Sequence, residues 1–233
     1  MILGKNQGII SNRIIAIGDI HGCARALAVL IRSIQPNVTD TIVVLGDVID
    51  YGPDSKSVIH QLLGLKNQTN LVVVRGNHEE LLLGAVDGSG SVDHWTPHGG
   101  EATLKSYGVE HPRDIPGDHL DLIRQSRFFW ETPDNIFVHA GYYPNHPLDT
   151  TPSSVLFWDF MEPERAWPHF SEKTVIVGHT PQLSGEILDR GFLVCIDTNC
   201  SRGGWLTGLD VVSGHYWQAN ELGQIRERDR DDS

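Results

Sequence analysis

The sequence predicts an α/β fold in which short buried strands alternate with amphipathic helices. Five apolar runs rich in β-branched residues each lead directly into a polar side chain of the kind that binds metal ions. These runs are residues 14–17, 41–45, 71–74, 136–138 and 175–177. The carboxyl ends of neighbouring strands in an open α/β sheet meet at one crevice, so we expect the polar side chains to share one site.

The first half of the chain has the pattern of a βαβαβ unit. Residues 24–34 place Leu27, Leu30 and Ile34 on one helical face, as in a helix that packs on a sheet. Ser55 is a candidate cap for a second helix, and residues 79–86 predict a third. The three strands between these helices should be parallel, with right-handed crossovers.

The second half is less regular. Residues 87–117 are rich in Gly, Ser and Pro around a single tryptophan, Trp95, and predict a cap or insertion within one domain that spans residues 1–233. A helix is expected next, followed by strands that form a second, largely antiparallel sheet. The helix is expected over residues 118–129. The strands are expected over residues 193–196, 205–212 and 215–219. The charged residues 226–233 at the end are expected to form neither helix nor strand.

The composition and net charge argue against several classes of protein. At 233 residues, 39% of them hydrophobic, the chain is long enough for one full core. A formal net charge of −12 excludes a nucleic-acid surface, since such surfaces carry clustered cations. No apolar run is long enough for a membrane span, and residues 1–11 lack a secretory signal pattern. We expect a cytoplasmic protein that binds neither nucleic acid nor membrane and acts as a monomer.

The polar side chains at the strand ends are the residue types of a two-metal centre. In chain order they are Asp19, His21, Asp47, Asn77, His139 and His179. A carboxylate that bridges two divalent cations offsets their mutual repulsion, and the pair can activate water for in-line attack on phosphorus. This mixed oxygen and nitrogen set suits Mn²⁺, Fe or Zn²⁺ better than Mg²⁺ or Ca²⁺. The three cysteines have no CxxC spacing and predict neither disulfides nor a zinc site.

The ordered series GDIHG, GDVIDYG, GNHE, HAG and GHT resembles the calcineurin-like metallophosphoesterases, and within them the bacterial and phage phosphoprotein phosphatases. The resemblance implies a four-layer αββα sandwich of two mixed sheets flanked by helices. It also implies that Asp19, His21 and Asp47 hold a first metal ion. A second would be held by Asp47 together with Asn77, His139 and His179.

The same resemblance implies a proton donor. His78 would protonate the leaving alcohol, and Asp50 would orient it. A histidine beside a dication and paired with a carboxylate is independently a plausible general acid near neutral pH. The residues alone leave open that His78 is only a hydrogen-bonding neighbour and that Asp50 only caps its turn.

One position departs from the family pattern. The family reads DRG where this chain has Asp50-Tyr51-Gly52, so a phosphate-binding arginine is missing and Tyr51 offers only one neutral hydrogen bond. Arg75, directly before the GNHE motif, and Arg165 are the candidate replacements.

The predicted function is hydrolysis of phosphomonoesters with two divalent metal ions, Mn²⁺ first among them, acting on phosphoserine and phosphothreonine in proteins. The expected partner is a phosphorylated protein or a small phosphoester. A symmetrical bis(5'-nucleosyl)-tetraphosphatase is the alternative, because those enzymes share the GDIHG and GNH motifs. A catalytically silent phospho-binding module is a third hypothesis, although it predicts a broken ligand set and none of the six ligands is missing.

Overall fold

The computed structural model describes residues 12–230. Residues 1–11, for which the sequence predicts no secretory signal, lie outside the described residues. The strands of the described part are β1 Ile14–Ile17, β2 Thr41–Val44, β3 Asn70–Val73, β4 Phe129–Glu131, β5 Asn135–Val138, β6 Thr174–Val177, β7 Leu188–Asp189, β8 Leu193–Cys195, β9 Leu206–Asp210, β10 His215–Ala219 and β11 Ile225–Asp229. The α-helices are α1 Ala24–Ile34, α2 Ser55–Lys66, α3 Asn77–Asp87, α4 Val92–Trp95, α5 Gly100–Tyr107, α6 Gly117–Arg124 and α7 Ser153–Trp158.

The strands form two mixed sheets. The six-stranded sheet has the order β11-β10-β9-β1-β2-β3, and the five-stranded sheet has the order β4-β5-β6-β8-β7. In the first sheet β1, β2 and β3 are parallel, as the βαβαβ pattern predicts. In the second, β5, β6 and β8 are parallel and β4 and β7 run antiparallel at the edges. The α/β fold class with two mixed sheets flanked by helices is confirmed.

Three buried apolar layers hold these elements together. One lies between the six-stranded sheet and the helices that follow its strands, and includes Leu27 and Ile59. A second lies between the sheets, where Val43 and Phe137 belong to the same cluster. The third packs α7 through Phe157 on the outer face of the five-stranded sheet. Because strands β1, β2, β5 and β6 are covered on both faces, they are continuously apolar rather than alternating.

The predicted grouping of the C-terminal strands was wrong. β9 pairs antiparallel with β1 and extends the first sheet, whereas β8 joins the second sheet parallel to β6. The reason is that β9 and β10 are buried on both faces. Leu209 and Tyr216 fill the layer between the sheets, while Leu206 and Trp217 pack towards the helices. Such strands need a sheet with both faces covered, and the six-stranded sheet provides one.

Two smaller expectations also needed correction. The cap of α2 is Asp54, whose carboxylate accepts a hydrogen bond from the Ser57 amide at 2.9 Å, rather than Ser55. The charged end expected to lack an element is a strand over residues 226–229, since β11 pairs along its whole length with β10, and residues 231–233 lie outside the described part. Its exposed charged side chains are typical of an edge strand, because charges there oppose pairing with other chains.

Residues 87–117 contain the two short helices α4 and α5 and lie against the βαβαβ half. Helix α4 packs on α3, and α5 packs on α2. Whether this segment acts as a cap within one domain stays a prediction. No helix between residues 12 and 230 has both the length and the apolar character needed to cross a membrane.

A buried ion pair fixes the start of the first sheet. The Asp40 carboxylate is 1% exposed and binds the Arg13 guanidinium through two contacts, at 2.6 and 3.2 Å. Arg13 also donates to the carbonyls of Ile34 and Gln35 at the end of α1. The backbone and side chain of Asn37 supply further donors to the same carboxylate. These contacts join β1, α1 and β2.

We expect Arg13→Met to lower the free energy of unfolding by about 2–3 kcal/mol at neutral pH, because it leaves a buried carboxylate without its cation. Burial raises the pKa of Asp40, but the hydrogen bond and charge of Arg13 outweigh it and hold the pKa below its usual value. A depressed aspartate pKa stabilises the fold above the ordinary value of about 3.9, and this contribution is lost as the pH falls through the native value.

Urea unfolding at several pH values measures this effect. The deficit of Arg13→Met should be largest near neutrality and shrink as the pH falls below about 4. Arg124→Met is the matched control, since Arg124 pairs only with exposed carboxylates and should change stability by less than about 0.5 kcal/mol. A deficit that is the same at pH 7 and in acid would contradict the role of the Asp40 charge.

Candidate metal centre and active site

Asp47 lies at the middle of the candidate site, just beyond the end of β2. Its Oδ2 atom is 3.5 Å from Nε2 of His21 and 3.4 Å from Nε2 of His139. The carboxylate belongs to two groups of metal-type side chains, one with His21 and His78 and one with His139 and His179. Within each group the ligand atoms lie within 4.8 Å of one another. One buried carboxylate therefore joins two clusters of donors.

Backbone carbonyls fix which nitrogen each of two histidines presents to the cluster. Nδ1 of His21 is 2.9 Å from the Ile49 oxygen, and Nδ1 of His139 is 2.7 Å from the Leu45 oxygen. A carbonyl oxygen only accepts hydrogen bonds, so both rings carry a proton on Nδ1. In the neutral rings Nε2 then carries an unprotonated lone pair that faces Asp47. Histidine ligands of metal ions adopt the same arrangement, with the other ring nitrogen donating to a carbonyl.

Acceptor atoms converge on Nε2 of His139. This nitrogen lies 3.0 Å from Oδ1 of Asn77 and 3.2 Å from Nδ1 of His179, in addition to Asp47. Lone pairs that face one another in a buried site repel unless a cation or a proton lies between them. A set of imidazole, carboxylate and amide donors in this arrangement fits a divalent transition metal ion.

The two histidines of this group titrate in opposite directions. Burial lowers the pKa of His139, but the charge and hydrogen bond of Asp47 raise it above its usual value. For His179, burial and the neighbouring charge of His139 lower the pKa to about 4. His179 is therefore neutral at physiological pH and offers a free lone pair.

Three buried carboxylates crowd the end of the two sheets. Asp19 follows β1 and accepts the His179 amide on both of its oxygens, at 3.1 Å each. Burial and the charges of Asp197 and Asp47 raise the pKa of Asp19 well above its usual value. Burial and the charge of Asp47 also raise the pKa of Asp197, to about 6. Asp19 belongs to neither of the two donor groups, and its role as a ligand stays a prediction. The excess negative charge at this point calls for a cation.

Glu79 holds two loops of the site together. Its carboxylate is fully buried and accepts the amides of Asp47 at 2.8 Å and Val48 at 2.9 Å, from the loop after β2. It also accepts the amide of Gly76 at 2.9 Å, from the turn that begins α3. Burial and the charge of Asp47 raise the pKa of Glu79 to about 7, while the hydrogen bonds act in the opposite direction. Glu79 is the last residue of the GNHE motif, but the motif alone did not predict this role.

The backbone of the site is held in the left-handed region at several non-glycine positions. The residues concerned are His21, Asp47, Asp50, Tyr51 and His179, with φ between 44° and 71°. Such conformations are uncommon for side chains other than glycine and asparagine, and each costs about 1 kcal/mol or more. They are retained here because tight turns bring side chains from separate strands to one point.

Two glycines lie so close to carboxylates of the site that no side chain would fit there. A Cβ atom at Gly76 would overlap Oδ1 of Asp47, and a Cβ at Gly178 would overlap Oδ1 of Asp19. The glycines of the GNHE and GHT motifs are therefore needed for close approach, and no larger residue leaves these carboxylates in place.

His78 forms a buried pair with Asp50. Nδ1 of His78 is 2.8 Å from Oδ2 of Asp50, and its Nε2 is 3.9 Å from Oδ2 of Asp47. Asp50 also accepts the Trp95 indole at 2.9 Å and the Thr103 hydroxyl at 2.6 Å. Burial lowers the pKa of His78, but Asp47 and Asp50 raise it to about 9. The segment 87–117 thus supplies two side chains that hold Asp50, and Thr103 had no signal in the sequence.

Tyr51 lies at the rim of this cluster. Its ring is 41% exposed and makes edge contacts with His21 and His78, at centroid distances of 5.1 and 4.9 Å. The guanidinium of Arg202 lies over the ring, 5.3 Å from its centre. Arg202 comes from the short turn Cys200–Arg202 after β8, and no sequence motif pointed to it.

An open cavity adjoins the other side of the cluster. Phe160 is 63% exposed, and its ring stacks on His179 with 4.5 Å between the centroids. From Phe160 a cavity of about 250 Å³ extends over Trp167 and past Arg165 to Tyr142. Its walls combine three aromatic side chains, Tyr142, Phe160 and Trp167, with the charged residues Asp159, Glu162 and Arg165.

The two arginines expected to bind phosphate have other contacts. All three nitrogens of the Arg75 guanidinium are hydrogen-bonded, Nε to Ser126 at 3.0 Å, Nη2 to the Arg124 carbonyl at 3.0 Å and Nη1 to Glu80 at 3.3 Å. Arg165 pairs with Glu162 at 3.0 Å and has a side chain that is 80% exposed. A substrate-binding role for either residue stays a prediction.

The chain is similar to proteins of known family. Residues 12–217 match the model of the calcineurin-like phosphoesterases. A symmetrical bis(5'-nucleosyl)-tetraphosphatase of Nitrosomonas europaea is 30% identical over 58% of this chain and 46% of its own length. The asymmetrical bis(5'-nucleosyl)-tetraphosphatase PrpE of Oceanobacillus iheyensis is 27% identical over 82% of this chain and 85% of its own. Thus the chain spans less than half the length of the first of these relatives.

Two further similarities bear on the predictions. The serine/threonine-protein phosphatase 1 of Salmonella typhimurium is 38% identical, but over only 36% of this chain and 38% of its own length. A crystal structure of a protein provisionally named a diadenosine tetraphosphatase superposes with a TM-score of 0.66 and 23% identity, covering 95% of each chain. At that identity the structure supports the fold alone.

The expected superfamily is therefore confirmed, while the narrower phosphoprotein phosphatase family stays a prediction. From the match over residues 12–217, together with the two mixed sheets and the donor clusters at their edge, the chain belongs to the calcineurin-like phosphoesterases.

Proposed function

We propose that this protein hydrolyses phosphoanhydride bonds of dinucleoside polyphosphates at a centre of two divalent metal ions. The observation that carries this proposal is the exposed aromatic ring of Phe160, which lies against His179 and lines an open cavity next to the donor clusters. A phosphomonoester needs little more than the metals and a phosphate clamp, whereas a nucleoside needs a surface on which its base can stack. The names of the Nitrosomonas and Oceanobacillus relatives support the same substrate class.

Six side chains are proposed to hold the metal ions. They are Asp19, His21 and Asp47 at one ion, and Asp47, Asn77, His139 and His179 at the other. The converging lone pairs around Asp47 and the three crowded carboxylates support this assignment. When bound, the two ions would supply positive charge to the phosphate oxygens and activate the attacking water. The nature of the metal, with Mn²⁺ preferred, belongs to the proposal.

His78 is proposed to donate a proton to the departing oxygen. Asp50 keeps the proton on Nδ1, and Nε2 of His78 points towards the donor cluster. The hydrogen bonds from Trp95 and Thr103 fix the Asp50 carboxylate, so the imidazole is held in one orientation. A general acid whose orientation is fixed in this way can act without reorganisation during the reaction.

Phosphoserine and phosphothreonine in proteins are the second candidate substrates. The pairing of His78 with Asp50 favours this candidate, because an alcohol leaves as a strong base and needs a proton donor. A nucleotide leaves through a phosphate oxygen, which is a much weaker base. The partial similarity to the Salmonella phosphatase supports the same candidate.

We expect Asp47→Asn to lose tight binding of at least one metal ion, because the amide removes the charge shared by the two donor groups. Elemental analysis of the protein after gel filtration in Mn²⁺ measures the effect. Asp149→Asn is the control, since Asp149 is exposed and should keep the wild-type metal content. Retention of two ions per chain by Asp47→Asn would refute the bridging role.

The substrate class is tested with the Mn²⁺-loaded protein on diadenosine tetraphosphate and on a phosphothreonine peptide. We expect the higher kcat/KM on the dinucleotide. Formation of ADP alone would indicate symmetrical cleavage, and ATP with AMP would indicate asymmetrical cleavage. A clear preference for the peptide would replace the proposal by its second candidate, and turnover of neither would favour a binding module.

Replacement of Phe160 tests the cavity directly. Loss of one stacking ring is worth about 1–3 kcal/mol, so Phe160→Ala should raise KM for the dinucleotide about tenfold or more. The KM for p-nitrophenyl phosphate should change little. Phe170→Ala is the matched control, because Phe170 is 57% exposed and lies outside the cavity lining. Equal effects of the two variants on both substrates would remove the cavity from the proposal.

We expect His78→Asn to reduce turnover far more on substrates with poor leaving groups than on an activated aryl phosphate. The missing proton matters only where the departing oxygen is a strong base. Steady-state rates on a series of alkyl and aryl phosphates measure the difference. If the loss were equal across the series, His78 would not be the proton donor.

A further inference from the structure

The phosphoester substrate proposed here is an anion, and neither of the arginines predicted from the sequence is placed to bind it at the donor clusters. Tyr51 stands where the family has an arginine, and its hydroxyl offers one neutral hydrogen bond. The guanidinium of Arg75 is bound to Ser126, Glu80 and the Arg124 carbonyl. Another cation is therefore needed to hold the phosphate oxygens.

Arg202 is placed where such a cation is required. Its guanidinium carbon lies over the exposed ring of Tyr51, 5.3 Å from the ring centre, and that ring makes edge contacts with His21 and His78. The arginine is thus separated from the donor cluster by a single aromatic ring. It reaches this position from the loop after β8, whereas Tyr51 comes from the loop after β2.

The nitrogens of Arg202 are available to a ligand. Within residues 12–230 its side chain makes no ion pair with a carboxylate, and the residue is exposed. By contrast, Arg165 on the other side of the cluster is paired with Glu162. A cation–π contact with Tyr51 leaves the N–H groups of the guanidinium able to donate to an anion, and a guanidinium presents them as a planar fork. Such a fork matches two oxygens of one phosphate.

The loop that carries Arg202 is held by its own hydrogen bonds. The Thr198 hydroxyl donates to the Trp205 carbonyl at 2.6 Å, and the Trp205 amide donates back to Thr198 at 2.9 Å. Asn199 adopts a left-handed conformation, and its amide donates to the Asp197 carboxylate at 3.0 Å. Because the loop is closed at its base, Arg202 is presented in a fixed place rather than on a free chain.

We propose that Arg202 is the phosphate clamp of this enzyme, held beside the donor cluster by its contact with the Tyr51 ring, and that the pair replaces the arginine absent at position 51. The ligand class is a phosphate group next to the metal centre, whether an inner phosphate of a dinucleotide or a phosphomonoester. This inference rests on the proposed phosphoester chemistry and not on the choice of substrate.

Binding of inorganic phosphate to the metal-loaded full-length protein, measured by calorimetry, tests the proposal. A hydrogen bond to a charged group contributes about 1.5–3 kcal/mol, so Arg202→Ala should weaken phosphate binding about tenfold or more. Metal content should stay at the wild-type level, and KM for phosphoester substrates should rise more than kcat falls. Tyr51→Phe should keep the affinity, because the ring remains, while Tyr51→Leu should lose part of it.

A restoring variant separates a direct contact from damage to the fold. Tyr51→Arg combined with Arg202→Ala should recover most of the lost phosphate affinity, since it moves the guanidinium to the neighbouring position. Arg124→Ala is the control, because Arg124 lies among exposed carboxylates away from the cluster. Phosphate binding by Arg202→Ala as tight as in the wild type, with both metals bound, would overturn the proposal. Failure of the wild type to hydrolyse any phosphoester would instead overturn the proposed function.

Discussion

The hydrogen bonds accepted by the Glu79 carboxylate are the constraint on which the site depends. Two backbone amides after β2 and one before α3 point at the same two oxygens. A buried carboxylate is tolerated only where donors of this kind replace its water. Because the first of these amides belongs to Asp47, the same contact that joins two loops also sets the position of the central carboxylate. The two donor groups can form only when this contact is made.

The conformational strain of the site is balanced by the surrounding layers. Left-handed residues occur at His21, Asp47 and His179, each just past a strand that is buried on both faces. The three apolar layers fix the ends of those strands, and so the turns have no freedom to relax. Strain of this kind is typical of sites in which function sets the backbone conformation. The packed sheets therefore help to set the positions of the site residues, because they hold the turns that carry these side chains.

Much of the fold, and the convergence of metal-type side chains into two donor groups, was predictable because the signals are local. Each strand end carries its own glycine and its own ligand type, and burial on both faces leaves a continuous apolar run. The grouping of the C-terminal strands was not predictable, since β9 pairs with β1 across nearly the whole described chain. Arg202 was missed for the same reason. Its function depends on a contact with Tyr51, and no local pattern links residues so far apart in sequence.

The arrangement of the site separates two kinds of residue. Those that face the metal position lie at the ends of buried strands, whereas Phe160 and Arg202 lie in loops with exposed side chains. Substitutions in these loops leave the buried strands untouched. Evolution can therefore exchange one phosphorylated compound for another at the rim while the hydrolytic centre stays the same. Tyr51 belongs to this rim, since its exposed ring lies outside the histidines of the donor clusters and can be exchanged without moving them.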